Sequence, residues 1–239
     1  MNSPWPRSPK IVVLSGPGLS RASGFAPFDA AGMPPGLGLE DVVTREGFER
    51  KRAQVLDFYN VRRRQLMREV RPNLAHEGLA VLEMARRNEV LILTRNIDDL
   101  HERAGSLAVL HTHGELLKAR CEVCGRVSQW PADIAGGEAC PVCSNEGHLR
   151  PHIVRVGEAP LRMDTVYEAL SHCEVFAVIG ISVAGEPAAG FLRDAKRAGA
   201  RTLEFVAEPT LASAAFDESV GGPLTETVPQ WVKRLVAGL

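Results

Sequence analysis

KIVVLSGPGLS, residues 10–20, is the stretch whose reading decides the fold. Its β-branched, apolar run from Ile11 to Leu14 reads as a buried strand. The run breaks into Gly16-Pro17-Gly18, a glycine-rich turn that permits close backbone approach. A buried strand ending in such a turn is a common opening of an α/β nucleotide-binding domain.

Outward from that stretch the same alternation recurs. EVLILT (89–94) is a second buried strand, ending in the cluster Arg95, Asn96, Ile97 and Asp98. PHIVRVGE (151–158), EVFAVIG (174–180) and RTLEFVAE (201–208) read as further strands. LRMDTVYEALSHC (161–173), EPAAGFLRDAKRAGA (186–200) and VPQWVKRLVAGL (228–239) read as helices. Residues 39–70 are helical in pattern, with Gly47 expected to interrupt them. Another helix is expected over 72–87, where Leu74, Leu79, Leu82 and Met84 recur at helical spacing. Arg63 and Arg64, in the run Arg62–Arg64, read as a solvated helix face. Residues 1–9 read as a disordered lead-in and 21–40 as a loop rich in Gly, Pro and Ala. Apolar strands alternating with helices predict an α/β fold with a mostly parallel sheet covered on both faces.

The 239 residues suit one large domain, or one with a small insertion. Lys plus Arg number 28 against 29 Asp plus Glu, a balance that gives no sign of a nucleic-acid partner. No stretch approaches roughly 18 uninterrupted apolar residues, so no membrane span is expected. The opening MNSPWPRSPK has no apolar signal core. A cytoplasmic location is the expectation.

Residues 115–150 change character, with cysteine pairs, Gly-Gly and few large apolar residues. Cys121, Cys124, Cys140 and Cys143 follow the spacing C-x2-C-x15-C-x2-C. Four thiolates in this pattern can close a tetrahedral shell around one zinc ion, leaving no open position for an activated water. The metal is therefore expected to be structural. The isolated Cys173, in HCEVFAVIG, reads as a core thiol.

Taken together, SGPGLSRASGFAPF (15–28), FYNVRRRQL (58–66), TRNIDDLHERAGS (94–106), LHTHGELLKARC (110–121), the cysteine pattern, GHLRPHIVRVGE (147–158) and IGISVAGEPAAGF (179–191) resemble the sirtuin (Sir2) family, in its short bacterial type. The resemblance implies a Rossmann-like, mostly parallel sheet with an inserted small four-cysteine zinc-binding lobe. The larger part would comprise 10–114 and 151–239, the zinc module 115–150, and the helical part of the small lobe would lie within about 30–70. It implies NAD-dependent removal of acyl groups from protein lysines, with release of nicotinamide and an O-acyl-ADP-ribose.

By the same resemblance His113 matches the general base, a role suited to an imidazole near neutral pH. Asn96 and Asp98 match the polar pair beside the nicotinamide ribose, with Ile97 between them. Gly16, Pro17, Gly18, Ser20, Phe28, Arg95, Gly180 and Ser182 fall on cofactor-contacting positions. Val154, Gly157 and Glu158 fall on the substrate strand. Tyr59 and Arg62, spaced i, i+3, resemble the pair that receives the carboxylate of succinyl-lysine. His101 reads as structural, and His111 does not match the base.

Departures concentrate at the cofactor. Proline replaces alanine at 17, Asp29 stands where the family has arginine, and Arg95 where it has glutamine. Ile181 replaces a threonine, Val206 an asparagine, and Arg155 and Val156 replace bulky aromatics. Three readings follow: an active deacylase preferring acidic acyl groups, a sirtuin-like binding protein with impaired catalysis, or a diverged enzyme acting on another NAD-like nucleotide.

Overall fold

The computed structural model describes residues 5–6, 8–25, 33–183 and 185–238; Phe28 and Asp29 lie outside the described residues. Six strands form a parallel sheet: β1 (Ile11–Ser15), β2 (Val90–Thr94), β3 (Val109–His111), β7 (Val175–Ile179), β8 (Arg201–Val206) and β9 (Glu218–Gly221). Their order is β3-β2-β1-β7-β8-β9. β1 lies between β2 and β7, with Ser15 in register with Thr94 on one side and Ile179 on the other. This is the doubly wound arrangement, whose strand order reverses at β1, and ligands of such sheets sit beyond the carboxyl ends of the strands there.

The alternation of side chains along β1 divides the core. Val12 and Leu14 face α7 (Met163–Leu170) and α8 (Ala188–Arg197). Ile11 and Val13 face α5 (Leu74–Ala85) and α9 (Leu224–Ala237). Each large apolar side chain withdrawn from water here contributes about 1.5–3 kcal/mol. Trp5, in the stretch expected as a disordered lead-in, donates its indole N–H to the carbonyl of Val109 at 2.9 Å.

A second, antiparallel sheet has the order β5-β4-β6, from β5 (Val127–Gln129), β4 (Gly114–Cys121) and β6 (Leu149–Ile153). Its apolar face and three short-to-long helices, α2 (Leu39–Val43), α3 (Arg45–Arg50) and α4 (Arg52–Arg68), form a third core. Pro151 lies in β6, an edge strand, where a missing N–H is tolerated.

Three local expectations need correction. Gly47 does not break the helical stretch; it lies inside α3, and the breaks fall at Thr44 and Lys51. A Cβ on Gly47 would meet Asp41 Cα at 2.4 Å, so the glycine permits close approach of α2 and α3. On α5 the core-facing residues are Ala75, Leu79 and Leu82, whereas Leu74 and Met84 are exposed. Arg63 is not solvated: it is fully buried and donates to the carbonyls of Leu116 (2.8 Å), Ala132 (3.0 Å) and Lys118 (3.3 Å). The carbonyls left over where β4 and the 130–134 loop meet α4 select that arginine. Arg64 remains half-exposed, paired with Asp133.

Candidate active site

A cavity of about 240 Å³ opens where the two sheets meet, at the carboxyl ends of β1 and β2. Pro17 and Ser20 enter it from α1 (Pro17–Arg21), Arg95 to Asp98 from the end of β2, His113 from the link between β3 and β4, Val154 from the end of β6, and Tyr59 from α4.

The polar floor is a connected chain. Asn96 donates through Nδ2 to the carbonyl of Gly16 (3.0 Å) and to Ser20 Oγ (2.8 Å). Ser20 in turn donates to Asp98 Oδ2 at 2.7 Å, and Asp98 Oδ1 accepts the N–H of Leu100 at 3.3 Å. Burial raises the Asp98 carboxyl above its ordinary range, and these two bonds act against that. Nδ2 being committed, the side-chain oxygen Oδ1 of Asn96 has no protein donor among the described residues and is available to a ligand, whereas the backbone carbonyl of Asn96 lies 3.1 Å from His111 Nδ1.

His113 is fixed by its neighbours. Gly114 turns the chain at φ 84°, and a Cβ there would lie 2.0 Å from the carbonyl of His152, so only glycine fits. Val154 N–H donates to the His113 carbonyl at 3.0 Å. Thr112 spends its hydroxyl hydrogen on the carbonyl of Thr94 (3.0 Å) and lies 2.9 Å from His113 Nδ1. Thr112 therefore accepts from Nδ1–H, which leaves Nε2 as the basic atom of the ring. Burial, together with the positive charge of Arg95, pushes the imidazole down to about 4, so it is neutral at pH 7.

The other histidines on this side have different work. His101 is buried with Nε2 at 2.8 Å from Ser15 Oγ, and its ring meets His76 edge-on at 4.9 Å between centroids. His111 lies 2.8 Å from Glu102; burial lowers its pKa, but the Glu102 carboxylate outweighs burial and the net shift is upward.

Gly16 and Gly18 do not line the cavity; they pack against the turn after β7. Gly18 N–H donates to the carbonyl of Gly180 at 2.8 Å, and Cβ atoms on Gly16 and Gly18 would meet Ile181 and Gly180 at 2.4 and 2.7 Å. Ser182 follows on the exposed side of that turn. Tyr59 lines the cavity, fully buried, its hydroxyl donating to the carbonyl of Val42 at 3.2 Å; burial raises its pKa. Arg62 lines a separate groove outside α4 and stacks on Phe25, its guanidinium carbon 4.2 Å from the ring centroid. Phe25 is itself a wall of the first cavity. Glu158 lies outside the cavity, tied to Arg150 and Arg155 at 3.0 Å each, and Gly157 makes the turn between them at φ 87°.

Phe25, Val43 and Ile153 also line the cavity; Phe25 and Ile153 lie inside stretches that carry the resemblance without being singled out there, and Val43 carries no motif of its own. The N–H of Val156 donates to the carbonyl of Val43 at 2.8 Å, so the end of α2 and the segment after β6 close this wall together.

The four cysteines of the small lobe converge, their sulfur atoms all within 4.8 Å of one another. Cys121 and Cys143 lie 3.7 Å apart, and Cys124 and Cys140 3.8 Å. Four sulfurs at zinc-ligand distance from one ion stand about 3.8 Å apart, whereas a disulfide closes to about 2 Å. The donor set fits one tetrahedral zinc with no vacant position, a structural site. Cys173 is buried apart from it, its thiol pushed up to about 11.

Comparison with known proteins bears on the same residues. The Sir2 family profile matches residues 16–187. An NAD-dependent protein deacylase of Shigella flexneri is 46% identical over 233 residues, covering 97% of this chain and 85% of the relative. The crystal structure of a Sir2 homologue in complex with NAD is 29% identical with a TM-score of 0.85, covering 95% of this chain and 89% of that one. A Sir2 structure bound to a myristoylated histone peptide is 30% identical with a TM-score of 0.70, covering 96% of this chain and 93% of that one.

Proposed function

Because this chain belongs to the Sir2 family, we propose that it is an NAD-dependent protein deacylase that frees lysine side chains of acyl groups. The observation that carries this reading is the convergence of His113, Asn96 and Asp98 on one cavity at the carboxyl ends of β1 and β2. NAD, when bound, supplies a glycosidic bond whose cleavage releases nicotinamide. His113 is neutral and holds its proton on Nδ1, so it takes up a proton at Nε2. Asn96 offers its side-chain oxygen to a hydroxyl group, and Asp98, held by Ser20, supplies negative charge beside a centre that becomes positive. The acyl-lysine enters along the wall formed by Val154 and Tyr59.

The acyl group we assign is succinyl or another acidic chain. Tyr59 is in the cavity, and Arg62 lies one helical turn away behind Phe25. A guanidinium and a phenol suit a carboxylate, so this assignment requires Tyr59 to release the Val42 carbonyl and Arg62 to turn from its own groove past Phe25 into the cavity when the acyl chain binds. The protein acts in the cytoplasm on acylated proteins, a compartment that keeps the four zinc-site thiols reduced.

Turnover of succinyl-lysine and acetyl-lysine peptides with NAD, read by mass spectrometry, tests the assignment. The expected products are nicotinamide and O-succinyl-ADP-ribose, with His113→Ala slowed about 10²–10⁴-fold and Arg62→Ala losing the preference for succinyl. Equal and negligible turnover by wild type and His113→Ala, both folded and zinc-loaded, would leave a binding protein instead. Nicotinamide release without any acyl-lysine would indicate a different nucleotide reaction.

A further inference from the structure

The Arg95 guanidinium faces the cavity with no acceptor among the described residues. Its backbone N–H is bound to the carbonyl of Ser15 at 3.0 Å, but among the described residues no carboxylate or carbonyl receives the side chain. The other buried arginines are compensated: Arg63 by three carbonyls, Arg150 and Arg155 by Glu158. Half-buried Arg95 is not, and withdrawal from water lowers its pKa. An arginine partly removed from water without a counter-charge is unfavourable in the empty protein and becomes favourable once a ligand brings an anion.

A second observation says which anion is missing a partner. The turn at the end of β1 has spent its backbone donors. Pro17 has no N–H. Gly16 donates to the carbonyl of Ile179 (3.0 Å), Gly18 to that of Gly180 (2.8 Å) and Leu19 to that of Gly16 (3.0 Å). Ile181 covers the face of Gly16. A phosphate placed there meets no free N–H from these residues, although the carboxyl ends of β1 and its neighbours are where such a sheet receives a nucleotide.

We propose that Arg95 is the anion anchor of the cavity and grips a diphosphate oxygen of the dinucleotide, replacing the backbone donors that the Gly16–Leu19 turn does not offer. This rests on the NAD-dependent reading above and adds to it a residue that sets cofactor affinity. The planar guanidinium suits phosphate oxygens bidentately. The carboxylate of an acidic acyl-lysine is the other source of the same chemistry. Arg95 leaves the main sheet beside Pro17 and Ser20, the nucleotide side, and this favours the diphosphate.

The experiment is calorimetric binding of ADP-ribose and, separately, of a succinyl-lysine peptide to wild type, Arg95→Gln and Arg95→Lys, with NAD-dependent turnover followed in parallel. Arg95→Gln is expected to weaken ADP-ribose binding about 10–100-fold, to leave peptide binding within about twofold, and to raise the ligand-free Tm, because an uncompensated charge is removed. Arg95→Lys should recover part of the affinity. Unchanged ADP-ribose binding in Arg95→Gln overturns the proposal. So does a loss confined to the succinyl peptide, which would make Arg95 a carboxylate anchor. Wild type that turns over while Arg95→Gln binds ADP-ribose equally well overturns this inference alone. Wild type that neither binds ADP-ribose nor consumes NAD overturns the deacylase reading with it.

Discussion

Ser20 gives its hydroxyl hydrogen to Asp98 across 2.7 Å, joining the first helix after β1 to the segment after β2. The same oxygen receives Asn96 Nδ2 at 2.8 Å, so one hydroxyl sets both the amide and the carboxylate of the cavity floor.

Ser20→Ala removes a bond that lowers the Asp98 pKa while the burial that raises it stays. The carboxyl pKa therefore moves further up, and a larger share is protonated at any given acid pH. If Asp98 must be ionised, the acid limb of the kcat/KM profile shifts to higher pH in Ser20→Ala, with the loss of activity largest at the acid end and recovering as pH rises. An unshifted limb would show that Asp98 ionisation does not govern the rate.

Arg63 is held to three backbone carbonyls and pins α4 to the small sheet. Arg63→Ala is expected to lower stability by about 3 kcal/mol, since buried carbonyls lose their donor. Arg64→Ala, losing only a half-exposed pair with Asp133, should change stability by less than about 1 kcal/mol. Denaturant melts of the two variants compare them directly; equal losses would contradict this division.

Metal analysis should find one zinc per chain, lost on chelation. Cys121 and Cys140 belong to the third hydrophobic core, so removing the ion frees buried thiolates inside it. Hydrogen exchange is expected to accelerate in β4 to β6 on chelation, while β1, β2 and β7 stay protected. Uniform acceleration across both sheets would mean that the small lobe does not open on its own.

Much of this protein was legible locally. The apolar runs at 11–14, 90–93 and 175–179 specify buried strands because a strand covered on both faces has no polar alternation to hide. The cysteine spacing specifies its ligand set through the valence of the metal, and His113-Gly114 marks a turn that only glycine can make. Elements as short as β3 and β9 are silent in the sequence, because three or four residues are too few to show a period and their pairing comes from the neighbouring strand.

The sequence by itself determined the strand–helix alternation, the metal ligands and the polar cluster after β2, all properties of spacing and residue type. Only the tertiary structure decided which charges are matched. Arg63 and Arg95 are the same residue type in polar surroundings; one is bound to three carbonyls and the other faces the cavity without an acceptor among the described residues. It likewise decided that Gly16 and Gly18 serve packing against the Gly180 turn, and that Tyr59 and Arg62 face different hollows. Periodicity reports which face of an element is apolar, but hydrogen-bond partners and the field at a side chain depend on distant segments that meet only after folding.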